Sequence, residues 1–183
     1  MKPKVVSIIG TKKSGKTTTV ENLILELTKR GYLVAAVKHV PEKDNFTIDT
    51  PGKDTYRYAE HGAKTIIAFS ANEIATIEKV KAEEVAFDAL IQRCQGNDIV
   101  LVEGLKKEMG ERHDIPKIAV TKTKEEAEYA LKTYQPILAF SGPYDSHRLT
   151  PEIPYINALT KPHILANLVE KEVLDNAKKP TLQ

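Results

Sequence analysis

An α/β fold, with a mainly parallel sheet covered by helices on both faces, is predicted for this 183-residue chain by three observations. Short β-branched runs alternate with stretches of helical periodicity. The first run closes on a glycine-rich turn that opens a helix. The 41% apolar content is enough to fill one core, and no repeat, low-complexity linker or composition break divides the chain, so a single domain over 1–183 is expected.

Lys4 to Ile9 is short, β-branched and stopped by Gly10, as a strand buried on both faces should be. From Thr17 to Arg30 the apolar residues Val20, Leu23, Ile24 and Leu27 fall at three- and four-residue steps, and Gly31 ends the helix. Leu33 to Lys38 completes a β-α-β unit. Its right-handed crossover opens the first loop at the carboxyl edge of the sheet, where ligands bind. His39 to Gly52 reads as a long loop, Lys53 to Gly62 as a helix, Lys64 to Phe69 as another β-branched run and Asn72 to Lys79 as an antiparallel edge strand. Glu83 to Cys94 is expected to be an amphipathic helix, followed by the most apolar strand, Asp98 to Glu103. Gly104 to Pro116 reads as a second long, charged loop, Lys117 to Val120 as a strand and Lys124 to Lys132 as a helix. Pro136 to Phe140 is the last strand, and Pro162 to Asn176 a closing helix with proline in its first turn.

Composition excludes several classes. The 27 basic and 25 acidic side chains leave a net charge of +2, without the excess that marks a nucleic-acid binder. No apolar run approaches the roughly 20 residues that span a bilayer, so no membrane partner is expected. Cys94 stands alone, which supports neither a disulfide scaffold nor a structural zinc site, and a cytoplasmic location is expected.

The turn after the first strand carries the chemistry. Gly10, Thr11, Lys12, Lys13, Ser14, Gly15, Lys16 and Thr17 fill the pattern G-x-x-x-x-G-K-[ST], with Thr18 next. In such a phosphate loop, backbone N–H groups wrap the anion, glycines permit its close approach, Lys16 adds a mobile charge and the Thr17 hydroxyl ligates Mg²⁺. The helix that begins there points its positive dipole end at the anion. A P-loop nucleotide-binding fold follows. Glu103, at the end of a neighbouring strand, is placed to hold the metal or orient water, so Lys16 and Glu103 are the catalytic candidates. Asp98 lies at the opposite end of that strand and reads as a turn residue.

Lys38-His39 ends the second strand, and ten residues on comes Asp49-Thr-Pro-Gly-Lys-Asp-Thr-Tyr-Arg57. Asp49 is a further metal candidate. Lys53 and Arg57, one helical turn apart, suit a second anionic group alongside Lys38 and His39. Base readout is less legible. In Thr121-Lys-Thr-Lys124, the string nearest to the guanine-reading pattern [NT]-K-x-D, lysine holds the aspartate position, and Ser141-Gly142-Pro143 offers backbone donors instead.

The order of Gly10 to Thr17, Lys38-His39, Asp49 to Arg57, Gly62-Ala63, Val102-Glu103-Gly104 and Pro116-Lys-Ile118 resembles the molybdopterin-guanine dinucleotide biosynthesis adaptor protein B family over roughly residues 4 to 120. The resemblance implies a Mg²⁺-dependent GTP-binding adaptor with weak GTPase activity, usually a homodimer. Such a protein assists the molybdenum cofactor guanylyltransferase in attaching GMP to molybdopterin. It also implies that Lys38, His39, Lys53 and Arg57 meet the molybdopterin intermediate. One departure is the stretch Val40-Pro-Glu-Lys-Asp44, which lacks the second histidine common in that family. Two alternatives stand beside this reading. A small-molecule P-loop kinase would use Gly104 to Pro116, with Lys106, Lys107, Arg112 and His113, as its lid. A metallochaperone-type GTPase would need clustered Cys and His ligands, and Cys94 is alone.

If Lys16 carries the charge that meets the terminal phosphates, Lys16→Ala should weaken nucleotide binding at least tenfold, about 1.4 kcal/mol. Retention within about twofold in a binding titration would refute the phosphate-loop reading.

Overall fold

The computed structural model describes residues 2–41, 47–81 and 85–174. In chain order the elements are β1 (Lys4–Gly10), α1 (Lys16–Lys29), β2 (Val34–Lys38), α2 (Asp54–Glu60), β3 (Thr65–Phe69), β4 (Ile74–Glu78), α3 (Phe87–Gln92), β5 (Ile99–Glu103), α4 (Lys106–Glu111), β6 (Lys117–Val120), α5 (Lys124–Thr133), β7 (Ile137–Ser141) and α6 (Pro162–Val169). The last helix runs on as a π-helical turn, Glu170–Leu174. The chain divides into two compact units, Met1–His39 with Ile91–Gln183, and Val40–Leu90.

The first unit holds a five-stranded sheet in the order β2-β5-β1-β6-β7, and every pairing in it is parallel. Parallel strands need crossovers, and right-handed crossovers that travel opposite ways along a sheet place their helices on opposite faces. The step from β1 to β2 therefore puts α1 on one face, and the step from β6 to β7 puts α5 on the other. Period-2 alternation sorts the strand side chains to match. Val6, Ile8, Ile99, Leu101, Ile118 and Val120 pack with Val20, Leu23 and Leu27 of α1 and with Leu165 and Val169 of α6. Ser7, Ile9, Val100, Val102 and Ala119 alternate with them and are just as buried. The predicted mainly parallel, two-faced sheet is what the structure shows.

Polar contacts close this unit at its ends. The Asp98 carboxylate accepts the Leu33 N–H at 2.7 Å, joining the starts of β2 and β5 as a turn residue should. Glu170 accepts from Arg30 at 2.7 Å and from the Tyr32 hydroxyl at 2.8 Å, which ties the end of α1 to the end of α6. Lys117 is fully buried at the start of β6. Its ammonium donates to the Arg112 carbonyl and, at 2.6 Å, to that of Gln135, and burial pushes its pKa down.

In the second unit β3 and β4 form a separate antiparallel pair, with Thr65 opposite Glu78 and Phe69 opposite Ile74. The antiparallel reading of the 72–79 segment holds. The β-branched run of β3, however, adds no strand to the parallel sheet. One side of this ribbon buries Ile66, while the other leaves Ile67, Phe69 and Ile74 at 61%, 83% and 73% exposure.

Two elements differ from their predicted form. The segment expected as the loop Gly104 to Pro116 contains α4, because Met109, fully buried, gives an otherwise charged turn one apolar anchor. The helix expected from Glu83 starts at Phe87, its first turn resting on the Ala86 carbonyl. Residues 83 and 84, residues 42–46 of the long loop and the predicted end of α6 at 175–176 lie outside the described residues. Among those described, no helix is long and apolar enough to cross a membrane.

Gly142, just past β7, has φ of 100°, and a Cβ there would lie 2.6 Å from the Thr121 carbonyl oxygen. Backbone cannot yield as a flexible side chain does, so Gly142→Ala should destabilise the protein by about 2 kcal/mol or more. A lowered urea midpoint with unchanged m would show it, and an unchanged midpoint would refute it.

Candidate functional site

Strand register assembles the site before any side chain is considered. Lys38 on β2 is the register partner of Glu103 on β5, and Glu103 that of Ile8 on β1. Gly10, where β1 becomes the loop, is paired with Val120 of β6. The loop from Gly10 to Thr17 thus leaves the sheet beside the strand that ends in Glu103.

The loop is shaped by contacts only certain residues allow. A Cβ at Gly10 would sit 2.2 Å from the Val120 carbonyl oxygen and 2.7 Å from Ser14 Oγ, so glycine alone fits. Lys13 at φ 61° and Gly15 at φ 101° place two left-handed residues in the turn that leads into α1, the kind of conformation from which anion-binding nests are built. Ser14 Oγ is buried in this turn without a hydrogen-bond partner. The Lys16 ammonium crosses the loop and donates to the Thr11 carbonyl at 2.6 Å. Burial lowers its pKa, Glu103 opposes this, and Lys106, Lys38 and Lys122 add to it. An anion bound here would relieve that repulsion.

Thr17 donates its hydroxyl to both Glu103 oxygens at 3.1 Å. The Lys38 ammonium lies 3.3 Å from each of those oxygens and 3.5 Å from the Thr17 hydroxyl. A cation already sits among these oxygens. A hydroxyl and a carboxylate are the hard donors to which Mg²⁺ adds phosphate and water, so the residues present fit that ion. Among the described residues, no group of three or more His, Cys, Asp or Glu converges.

The structure therefore brings together Lys16, Thr17, Lys38 and Glu103. His39 follows directly; its N–H donates to the Glu103 carbonyl at 3.0 Å, and its Cβ packs against Gly104. Lys12 and Lys13 stand exposed on the loop, and Thr18 lines a cavity of about 360 Å³ with Lys13, Ser14, Gly15 and the turn Ser141-Gly142-Pro143. Asp49, Lys53 and Arg57 belong to the second unit. There Asp49 Oδ1 accepts from the Thr55 hydroxyl at 2.8 Å and from the Thr50 N–H at 3.0 Å, while its Oδ2 is buried without a partner. Lys53 caps α2, its carbonyl accepting the Arg57 N–H, and the Arg57 guanidinium lies 3.5 Å from Asp54.

Sequence reasoning missed Glu126, which braces the loop. Its Oε1 accepts the Thr11 hydroxyl at 2.8 Å and its Oε2 the Lys122 N–H at 2.8 Å. Burial pushes its pKa up, but these two donors together with the Lys122 and Lys106 charges outweigh burial and keep the carboxyl below its ordinary value. The Lys122 ammonium adds a bond to the Lys12 carbonyl at 3.2 Å. The available signal was a capping box: Thr123 caps α5 by accepting the N–H of Glu126 three residues on. The string resembling half a guanine motif is thus a strut beneath the phosphate loop.

Residues 5–142 match the family described as molybdopterin guanine dinucleotide synthesis protein B. The molybdopterin-guanine dinucleotide biosynthesis adapter protein of Haemophilus influenzae is 36% identical over 116 residues, 62% of this chain and 61% of its own. That of Escherichia coli is 35% identical over 98 residues, 52% of this chain and 55% of its own. A Methanocaldococcus jannaschii relative is 32% identical over 123 residues, 67% of this chain but only 49% of its own. The matches thus span about half to three fifths of these relatives' lengths. A crystal structure of a molybdopterin-guanine biosynthesis protein B superposes with a TM-score of 0.70 at 26% identity, covering 91% of this chain and 97% of that one. Bacillus subtilis MobB superposes with a TM-score of 0.74 at 22% identity, covering 94% and 99%, and speaks for the fold alone.

Dividing the loop's work between anion and metal yields a test. Thr17→Ala and Glu103→Gln should reduce Mg²⁺-dependent hydrolysis at least tenfold while changing metal-free nucleotide affinity less than threefold, on the order of 0.6 kcal/mol. Equal losses in both measurements would refute the division.

Proposed function

The chain belongs to the molybdopterin guanine dinucleotide synthesis protein B family, and from that premise we propose that it is a GTP-binding adapter for attaching GMP to molybdopterin. Its partners in this reading are the molybdenum cofactor guanylyltransferase and the molybdopterin intermediate. The observation that carries the proposal is the meeting of Thr17, Lys38 and Glu103 beside the phosphate loop. In the proposed site, the N–H groups of Gly10 to Thr18 cradle the phosphates and Lys16 neutralises their charge. Thr17 and Glu103 would hold Mg²⁺ there. When bound, the ion supplies charge stabilisation for the phosphates. The base takes the cavity beside Thr18, where the Tyr155 hydroxyl fixes the turn by donating to the Gly142 carbonyl at 2.7 Å.

Lys16 and Glu103 are the residues assigned to hydrolysis, and slow turnover is the expectation. Arg112, the arginine of the segment considered as a kinase lid, is held by Asp114 at 2.8 Å and by Glu108 at 3.6 Å. That guanidinium pushes Asp114 down to about 2. An arginine so engaged favours the adapter over the kinase. Lys38 and His39 in the first unit, and separately Lys53 and Arg57 in the second, are proposed for a second anion or the pterin. The exposed apolar side of the β3–β4 ribbon, Ile67, Phe69 and Ile74, supports the proposal of a homodimer.

The test combines the protein with GTP and Mg²⁺, with and without the guanylyltransferase and molybdopterin. Expected are hydrolysis alone well below the roughly 1 to 100 per second of phosphoryl-transfer kinases, and a raised yield of guanine dinucleotide cofactor when all are present. Fast phosphorylation of a small metabolite, with no change in that yield, would overturn the adapter reading.

A further inference from the structure

The carboxylate of Glu126 acts outside its own helix. In a capping box the acidic residue three positions into the helix reaches back to the backbone N–H of the cap. Here Thr123 caps α5 by accepting the Glu126 N–H at 3.3 Å. The Glu126 side chain goes further back, accepting the Lys122 N–H with Oε2 at 2.8 Å, and gives Oε1 to the Thr11 hydroxyl at 2.8 Å. Thr11 and Glu126 are 115 positions apart, so this bond is one the loop cannot make by itself.

Two consecutive loop residues are thereby held from the start of α5. Thr11 is held by its hydroxyl, and Lys12 by its carbonyl, which accepts the Lys122 ammonium at 3.2 Å. The next residue, Lys13, has φ of 61°. A residue with a side chain keeps that left-handed conformation only where its surroundings impose it. The other end of Thr11 matters as much. Its carbonyl accepts the Lys16 ammonium at 2.6 Å, so the hydroxyl and the carbonyl of one residue join Glu126 to the lysine assigned to the phosphates. The Glu126 side chain is 22% exposed, and bonds from a neutral hydroxyl and a backbone N–H to a partly buried carboxylate are short and directional, unlike a solvated ion pair.

We propose that Glu126 is a positioning residue for nucleotide binding. Acting through Thr11, it fixes the loop backbone ahead of Lys13 and aims the carbonyl that holds Lys16, so nucleotide affinity depends on a carboxylate whose oxygens both bind protein groups. Naming a nucleoside triphosphate as the anion rests on the proposed function; the brace itself rests on the bonds to Thr11 and Lys122. A residue that served only to start α5 would affect the stability of that helix and leave the loop as it is. Thr11→Val separates the two roles, because it removes the hydroxyl from the brace and leaves the cap at Thr123 intact.

The experiment measures two properties of the full chain: the Kd for GTP with Mg²⁺, and the backbone order parameters of the nucleotide-free loop by ¹⁵N relaxation. Glu126→Ala and Thr11→Val should each raise the Kd at least tenfold. The double variant should be no more than about threefold weaker than the worse single, because both changes break one link. Thr11→Ser, which keeps the hydroxyl, should recover affinity to within about threefold of wild type. In the free chain, order parameters across Lys12 to Gly15 should fall from the roughly 0.85 of rigid backbone toward 0.6 in Glu126→Ala and Thr11→Val. A Glu126→Ala chain with a lowered urea midpoint but a Kd within threefold of wild type would make Glu126 a helix cap alone and overturn the proposal. Equal losses in Thr11→Ser and Thr11→Val would overturn the hydroxyl link. Wild-type protein that binds no GTP fails the proposed function, and a loop loosened in the variants would still uphold the brace. Order parameters unchanged in both variants would overturn it whether or not GTP binds.

Discussion

Three parallel strands reach the carboxyl edge of the sheet in one row, Lys38 on β2, Glu103 on β5 and Ile8 on β1, and the rest of the site depends on that register. A slip of one residue in β5 would send Glu103 to the other sheet face and force Ile99 and Leu101 to exchange places with Val100 and Val102 in two differently shaped buried layers. Register is thus held by the core, and the core in turn holds a carboxylate against the first hydroxyl of α1. The same constraint governs the loop. Gly10 can approach the Val120 carbonyl because β1 and β6 are paired there, and this approach sets where the loop leaves the sheet.

Charge around the loop is balanced loosely. The Lys38 side chain is 57% exposed, and an ion pair of that kind contributes about 0–1 kcal/mol. Its bond to Glu103 is therefore cheap to rearrange when a divalent ion or a phosphate takes either partner. The Thr11–Glu126 bond is of another kind. It is partly buried, joins residues 115 apart in sequence and ties the loop to the start of α5. The first contact lets charge move within the site, whereas the second keeps the backbone cradle from following it.

The second unit is built from weaker means. Its two-stranded ribbon buries one side and leaves the other apolar and open, and isolated ribbons of two strands have little stability of their own. Asp49, within this unit, spends one oxygen on Thr55 and the Thr50 N–H and keeps the other buried without a donor.

Some of this was legible in the residues alone. Gly10 to Thr17 could be read because a phosphate loop is a local code: glycine where the backbone must turn or touch, lysine and threonine at fixed offsets, a strand before and a helix after. Glu103 could be read because an apolar strand that ends in a carboxylate and a glycine has only one edge at which to present it. Tertiary structure decided the rest. The bracing of Thr11 by Glu126 depends on β6 lying next to β1, which no local pattern encodes. The α4 helix depends on Met109 finding a buried site, and the separate ribbon on β3 pairing only with β4. Local backbone codes act over a few residues and survive any context, whereas contacts between distant side chains exist only once strand order and helix packing have placed them.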